Sequence, residues 1–198
     1  MSNKLDERAL RQLFTEARTH GAWLEQSVSD DTLRAIWDLA KWAPTSMNCL
    51  PSRLVFVKSA AAKAMLKPAL AEGNVAQTMA APATIIVATD HAFYERLPGL
   101  FPAFPGARDM FAGNAVLAET TAFRNGSLQG AYVLMAARAL GLDCGPMSGF
   151  DNAKVDDAFF AGTTVKSNLL INIGYAAEPP KVHARGPRPA FDEDCRIA

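Results

Sequence analysis

The most constraining pattern in the sequence is the stretch from Asn114 to Leu140, in which apolar and small residues dominate. Its composition predicts one long helix, or two abutting helices that meet at a weak point at Asn125-Gly126. Gly141 is placed to end the helix as its C-cap. From Leu128 onward the residues are apolar on nearly every side, which is typical of a helix buried in a core or in a subunit interface. The fold must therefore surround this helix, within one chain or between two.

The composition favours helices over strands. The chain has 36 alanines and 19 leucines against 16 valines and isoleucines together. Alanine and leucine favour helices, whereas valine and isoleucine favour strands. We therefore expect a mostly helical α+β fold and not an all-β sandwich. The length of 198 residues fits one domain over residues 1–198 with a sizeable buried core.

Local patterns divide the chain into helices and strands. Apolar residues spaced by three and four predict helices, and short apolar runs bounded by turn residues predict strands. The predicted helices outside the long one cover residues 5–17, 29–43, 60–70 and 151–160. The predicted strands cover residues 54–57, 83–88, 142–147 and 168–174.

Residues 91–112 differ from the rest, because five aromatic residues are interleaved with three prolines and two glycines. Long irregular segments in compact domains are usually functional or disordered, and the aromatic content argues against disorder. We interpret the segment as an irregular excursion that covers another part of the protein. After Tyr175 the chain is rich in proline and arginine, which predicts an extended segment or one that clasps a neighbour.

Charge and cysteine content exclude several functional classes. The 20 basic residues balance the 20 acidic ones, so the chain lacks the basic footprint of a protein that binds nucleic acid. No apolar run approaches the length of a membrane span, and the first residues do not resemble a signal peptide. The three cysteines are widely spaced, and the three histidines show no metal-ligand spacing. We therefore expect a cytoplasmic protein with no metal site and no nucleic-acid or membrane partner.

Three polar stretches are candidates for a binding site, although each alone is more often an ordinary cap, turn or loop. In the first, Arg18 lies beside the hydroxyl of Thr19, a pair suited to a phosphate monoester. The second is the loop 43–51, whose Ser, Thr and Asn side chains suit a heterocycle edge or a ribityl chain. The third is the turn within 141–150, which exposes backbone N–H groups. The sequence contains neither a Rossmann glycine motif nor a P-loop.

Together these stretches resemble the FMN-dependent nitroreductase family from about Leu10 to Pro189. The similarity is greatest to the branch that reduces malonic semialdehyde to 3-hydroxypropionate in bacterial pyrimidine catabolism. The matching motifs are FTEARTH at 14–20, KWAPTS at 41–46, FYERLP at 93–98, ETTAFRN at 119–125, GPMSGFD at 145–151 and KSNLLINIGY at 166–175. The resemblance implies a three-layer α+β fold with a central, mainly antiparallel sheet flanked by helices. It also implies a homodimer formed through the long central helix.

The resemblance further implies one FMN at each side of the dimer interface, reduced by NADH or NADPH. The flavin would carry the chemistry, with no catalytic side chain beyond it. The loop that carries Pro44, Thr45, Ser46 and Asn48 would come from the partner subunit. The residues at the matching positions are Arg18, Thr19, His20, Pro44, Thr45, Ser46, Asn48, Asn74, Asn125, Pro146, Met147, Ser148, Gly149, His183 and Arg185.

Several positions depart from the family pattern. Ala17 and Gly21 replace two cations of an Arg-Arg-Ser-x-Arg motif, Leu50 replaces a frequent glutamine, and Ser148 replaces a glutamate beside the flavin. Removing a negative charge from the site favours an anionic substrate. The missing cations leave open a flavin-free relative that serves as a binding module.

The implied reaction is hydride transfer from NAD(P)H through flavin N5 to a small carboxylated aldehyde, malonic semialdehyde. Bidentate arginines suit its carboxylate, although a surface ion pair is the more common role of any one arginine. The candidate arginines are Arg96, Arg108 and Arg124. The alternative activity is reduction of nitroaromatics or quinones with broad specificity, in which the aromatic segment 91–112 stacks on flat substrates.

Overall fold

The computed structural model describes residues 4–180 and 182–198. Its helices, in chain order, are α1 (Glu7–Leu10), α2 (Asp30–Ala40), α3 (Ala60–Leu66), α4 (Glu72–Ala80), α5 (Leu97–Leu100), α6 (Ala107–Ala112), α7 (Ala115–Ala139), α8 (Asn152–Phe159) and α9 (Phe191–Asp194). Helix α1 continues as a π-helical turn over Arg11–Thr15. Its strands are β1 (Ser52–Val57), β2 (Ala83–Asp90), β3 (Asp143–Met147) and β4 (Val165–Gly174).

The long central stretch forms the single helix α7, and both of its ends are capped. The Asn114 side chain accepts a hydrogen bond from Leu117 N at 3.0 Å. Gly141 adopts a φ of 80° just after the helix, as predicted for a C-cap. The predicted weak point at Asn125-Gly126 does not interrupt the helix. A Cβ at Gly126 would lie 2.0 Å from Thr89 Cγ2, so the glycine lets the helix lie close to the sheet.

The sheet has the strand order β1-β2-β4-β3, with each neighbouring pair antiparallel. Strand β2 lies inside the sheet, and its side chains alternate between the two faces. Ile85 and Val87 pack with residues of α2 and α7, whereas Ile86 and Ala88 pack with residues of α3 and α8. Both faces are therefore covered by helices, and the expected three-layer α+β fold with an antiparallel sheet is confirmed.

The predicted helices and strands are confirmed in position, with two changes. The helix predicted over residues 60–70 ends at Leu66 and continues as a 3₁₀ turn that holds Pro68. Helix α4 follows it and was not predicted from the sequence. The caps of two other helices are as predicted, because Ser29 accepts from Thr32 N and Asp151 accepts from Lys154 N.

Residues 91–112 are ordered, as expected, but the prediction of an irregular segment is wrong. The segment forms a 3₁₀ turn over Phe93–Arg96 and then α5 and α6. The rings of Phe93 and Phe111 are buried and meet edge to face, with their centroids 5.0 Å apart. They pack against Ala118 and Ala122 in the first half of α7. The aromatic residues thus form a third small core at that end of the helix.

Helix α7 is not buried on all sides within one chain. Phe123 is 61% exposed, Leu128 42% and Tyr132 39%. For this face the core interpretation is wrong, and burial in a subunit interface stays a prediction. Among the described residues, no helix is both long and apolar enough to cross a membrane.

Candidate active site

An open cleft of about 960 Å³ lies where the segment after α1, helix α4, the end of β3 and the C-terminal segment meet. Its volume is within the usual range for small-molecule sites. It brings together more than half of the predicted cofactor-binding residues from distant parts of the sequence. The predicted residues that line it are Arg18, Thr19, His20, Asn74, Pro146, Met147, His183 and Arg185.

One wall of the cleft is held by backbone contacts between the segment after α1 and strand β3. Thr19 bridges to Cys144 in a parallel arrangement, and His20 N donates to Cys144 O at 3.0 Å. A Cβ at Gly145 would lie 2.5 Å from His20 O, so a glycine is needed for this close approach. Burial raises the pKa of Cys144 to about 12, which keeps it a neutral thiol and not a nucleophile.

The C-terminal segment is tied to the same wall by two arginines. Arg18 Nη2 donates to His183 O, and Arg185 Nη2 donates to Ala17 O at 3.4 Å. Each guanidinium has five N–H groups, so each keeps donors for a ligand after making these bonds. Arg18 and Arg185, both predicted cofactor ligands, therefore line the same cleft.

The cleft is cationic. No aspartate or glutamate of the described chain lines it, whereas four arginines do. Two of them were predicted, and the other two, Arg138 and Arg188, were not. Arg138 lies in the last turn of α7 and Arg188 in the C-terminal segment, and no motif marks either position. Such a concentration of one charge attracts anions and raises their local concentration.

His20 is the most buried polar side chain of the cleft wall, with 9% of its surface exposed. Its Nε2 lies 3.3 Å from Asp143 Oδ1, and Asp143 Oδ2 accepts a hydrogen bond from Ala176 N at 2.8 Å. Its buried Nδ1 has no hydrogen-bond partner. Buried polar atoms are normally satisfied, so this nitrogen marks a place where a polar ligand or a water fits.

A chain of amides forms the opposite side. Asn74 Nδ2 donates to Gly149 O at 2.8 Å, Gln77 Nε2 donates to Asn74 Oδ1 at 2.7 Å, and Trp23 Nε1 donates to Gln77 O at 3.0 Å. A Cβ at Gly149 would lie 2.6 Å from Asn74 Nδ2. The turn 146–149 is thereby fixed against α4, with Ser148 exposed beside the cleft.

The other predicted cofactor ligands lie away from this cleft, in the loop 41–51 between α2 and β1, which we call the α2–β1 loop. Pro44, Thr45, Ser46 and Asn48 belong to it, and none of them lines the cleft. Asn125 on α7 contacts this loop, because its Oδ1 accepts from Ser46 N at 2.8 Å. A single chain therefore does not unite the two groups of predicted ligands.

The α2–β1 loop has an unusual backbone. Met47, Asn48 and Leu50 adopt φ values of 51°, 49° and 40°, in the left-handed region that non-glycine residues disfavour. Each such residue costs roughly 1–3 kcal/mol and persists where the surroundings fix it. Thr45 Oγ1 accepts from Leu50 N at 3.2 Å, and Asn48 Nδ2 donates to Leu100 O at 2.9 Å. Strain of this kind is concentrated at functional sites.

The three predicted substrate arginines have different surroundings. Arg108 binds Glu95 through two bonds of 2.8 and 2.9 Å and Asp109 through one of 2.8 Å. These hydrogen bonds, that to Glu95 above all, raise the pKa of Arg108. Arg96 lines a separate cavity of about 300 Å³ with Leu50 and Arg53. Arg124 is exposed on α7 and lines none of the cavities described here.

The fold is a three-layer α+β arrangement, and four arginines line its cleft. The chain belongs to the nitroreductase family, because its residues 15–175 match the sequence model of that family. It is 61% identical to a Burkholderia lata protein provisionally named NADH dehydrogenase/NAD(P)H nitroreductase, over 98% of each chain.

Two solved structures share its fold. One is a provisional nitroreductase from Exiguobacterium sibiricum in complex with FMN, with a TM-score of 0.84 and 20% identity, covering 100% of this chain and 99% of that one. The other is a provisional NAD(P)H:FMN oxidoreductase from Staphylococcus epidermidis, with a TM-score of 0.82 and 19% identity, covering 100% of both chains. At these identities, both comparisons establish the fold alone.

Proposed function

We propose that this protein is an FMN-dependent oxidoreductase, one domain over residues 1–198, that uses NADH or NADPH to reduce malonic semialdehyde to 3-hydroxypropionate. The observation that carries this proposal is the acid-free cleft, which four arginines line. A flavin phosphate needs cationic donors of this kind. The family membership and the FMN complex of the Exiguobacterium sibiricum structure support the same cofactor.

The residues present fit FMN in three respects. Arg18 and Arg185 provide guanidinium donors for a phosphate, and Thr19 adds a hydroxyl beside them. The buried Nδ1 of His20 lacks a hydrogen-bond partner among the described residues. Gly149 lies so close to Asn74 that a larger residue at this position would fill the space beside the Asn74 side chain. When bound, FMN supplies the hydride-transfer chemistry, and this chain supplies its binding, orientation and electrostatic environment.

We further propose that the functional unit is a homodimer. Helix α7 presents an exposed apolar face that includes Phe123, Leu128 and Tyr132, and exposed apolar patches commonly mark interfaces. The α2–β1 loop carries polar groups and strained residues but lies outside the cleft of its own chain. A second copy that brings this loop to the cleft would unite the two groups of predicted ligands.

For the substrate carboxylate we propose Arg96. Within the described residues its guanidinium makes no hydrogen bond or ion pair, and it lines a cavity next to Leu50 of the α2–β1 loop. Arg108 is already bound by Glu95 and Asp109. The absence of acidic side chains in the cleft also suits an anionic acceptor.

Reduction of nitroaromatics or quinones is the second candidate function. It is favoured by the name of the Burkholderia lata relative, and a cationic cleft also suits the partly negative oxygens of a nitro group. The two functions differ in the charge of the acceptor. An uncharged nitroaromatic would not need Arg96, whereas malonic semialdehyde would.

The test compares NADH and NADPH oxidation by the purified protein with malonic semialdehyde and with an uncharged nitroaromatic as acceptor. We expect the flavin absorbance bands, a higher kcat/KM for malonic semialdehyde, and a KM for it that Arg96→Gln raises by about tenfold or more, as for loss of a charged hydrogen bond. Arg108→Gln is the matched comparison and should raise this KM much less.

Three outcomes would contradict the proposal. A protein that carries no flavin and binds none when it is added would favour the flavin-free alternative. A much higher kcat/KM for the nitroaromatic would favour the second function. Equal KM increases for both acceptors in Arg96→Gln would reject Arg96 as the ligand of the carboxylate.

A further inference from the structure

Two buried amide side chains on α7, one turn apart, hold the backbone of the segment that follows α2. Asn125 Oδ1 accepts a hydrogen bond from Ser46 N at 2.8 Å, and Gln129 Oε1 accepts one from Ser52 N at 2.9 Å. The two side chains are 6% and 1% exposed. They differ in what they hold, because Ser52 begins a regular strand, whereas Ser46 lies in the strained α2–β1 loop.

The Asn125 side chain is engaged at both ends by this chain. Its Nδ2 donates to Thr121 O at 2.8 Å, one turn back on α7. This second bond fixes the orientation of the amide, so that its oxygen points to Ser46 N. A side chain held in this way supports the backbone of the loop at Ser46.

The bond to Ser46 occurs where the loop needs support. Directly after Ser46, Met47 and Asn48 adopt left-handed backbone conformations. Residues other than glycine leave that region readily unless neighbouring contacts fix them. On the other side of the strained residues, Cys49 is fully buried against Phe93 and Phe111. The loop is thus held between a hydrogen bond at Ser46 and a buried anchor at Cys49.

We infer that Asn125 is a positioning residue for FMN binding, because it holds the α2–β1 loop in its strained form. This inference rests on the proposed function, in which the hydroxyl and amide groups of the loop contact FMN. Loss of the bond lets the loop relax to ordinary backbone conformations, so that Thr45, Ser46 and Asn48 no longer present a fixed set of polar groups. FMN affinity then falls although the fold is intact.

The experiment compares Asn125→Ala and Gln129→Ala with the wild-type protein. Gln129→Ala is the matched control, because it removes an equivalent buried bond from the same helix without touching the loop. Two quantities are measured: the FMN dissociation constant of the flavin-depleted protein, by quenching of flavin fluorescence, and amide hydrogen exchange of a peptide that covers residues 44–50.

We expect Asn125→Ala to weaken FMN binding by about tenfold, as for loss of a buried hydrogen bond, and to speed exchange in the 44–50 peptide. We expect Gln129→Ala to bind FMN within about threefold of wild type, even where it unfolds at a lower temperature. If the role of Asn125 were purely structural, the FMN affinity of each variant would instead fall in proportion to its loss of stability. Gln129→Ala would then bind FMN as weakly as Asn125→Ala.

The inference is overturned if Asn125→Ala binds FMN like the wild type, or if Gln129→Ala loses as much FMN affinity as Asn125→Ala. The wild-type protein separates these failures from failure of the proposed function. If it binds no FMN, the proposed function is wrong and the positioning role falls with it. If it binds FMN and the variants fail the comparison, the positioning role alone is wrong.

Discussion

The cleft and the α2–β1 loop both carry residues predicted to contact FMN, but they are built in opposite ways. The cleft collects charged side chains from three distant parts of the chain and leaves their donors open to a ligand. The loop is one continuous segment whose polar groups are bound to its own backbone and to α7. The main feature of the cleft is its concentration of positive charge. The main feature of the loop is a strained backbone that hydrogen bonds hold in place.

This difference determines how each region responds to substitution. Removing a cleft arginine takes away a direct contact with an anion and leaves the fold intact. Removing a support of the loop changes the shape of a surface whose predicted FMN ligands, Pro44, Thr45, Ser46 and Asn48, are uncharged. Substitutions in the cleft should therefore lower FMN affinity by removing a direct contact. Substitutions around the loop should lower FMN affinity by making the loop backbone less ordered.

The largest effect is expected from the cleft arginines. Arg18→Ala removes a guanidinium from the phosphate end of the cleft, and we expect FMN affinity to fall by about 10- to 100-fold, the range for a charge-assisted hydrogen bond. Flavin content after dialysis measures the loss. Arg8→Ala, which removes an exposed arginine of α1, is the control of equal charge. Unchanged flavin content in Arg18→Ala would mean that the cleft is not the site of the FMN phosphate.

A smaller effect is expected from the cleft wall. In Gly145→Ala the new Cβ would lie 2.5 Å from His20 O, a backbone atom that cannot move aside cheaply. We expect the free energy of unfolding to fall by about 1–3 kcal/mol, as for an overpacked site. Gly73→Ala on α4 is the matched control, because its Cβ would meet nothing within 4 Å and alanine favours a helix. Urea titration compares them, and equal stabilities would mean that the wall is not closely packed.

Most of the fold could be predicted from the sequence because its elements carry strong local signals. The continuous apolar run of β2 reflects burial on both faces of the sheet, and Ser29 and Asp151 mark the starts of α2 and α8. Helix α4 was missed because it begins without a capping side chain and has Gly73 in its first turn. Residues 91–112 were misinterpreted because Pro98 lies in the first turn of α5, where a helix tolerates proline.

The site was less predictable than the fold, for a different reason. The motifs identified Arg18 and Arg185, but Arg138 joins them only through the packing of α7 against the segment after α1. The strain at Met47 and Leu50 has no sequence signal, because neither is a glycine or an asparagine, which would mark a left-handed position. The engagement of Asn125 with Ser46 depends on the tertiary fold in the same way.

The smallest expected effect concerns the far end of the α2–β1 loop, where Arg53 donates to Leu50 O and to Asp90 Oδ2. Burial alone would raise the pKa of Asp90, but hydrogen bonds from Thr164 Oγ1 and Ala92 N, together with Arg53, lower it below its usual 3.8. The stabilisation by this carboxylate is therefore complete above about pH 4 and is lost as the pH falls through the lowered pKa.

Asp90→Asn should accordingly flatten the fall in the free energy of unfolding between pH 5 and pH 3. Urea titrations at several pH values measure this slope, with Asp157→Asn on α8 as a control that removes an exposed carboxylate. Because Arg53 also holds Leu50 O, Asp90→Asn should in addition speed amide exchange in the 44–50 peptide, although less than Asn125→Ala does. A slope equal to that of the wild type would mean that the ion pair does not anchor the loop, and that the support of the strained residues comes from α7 and Cys49 alone.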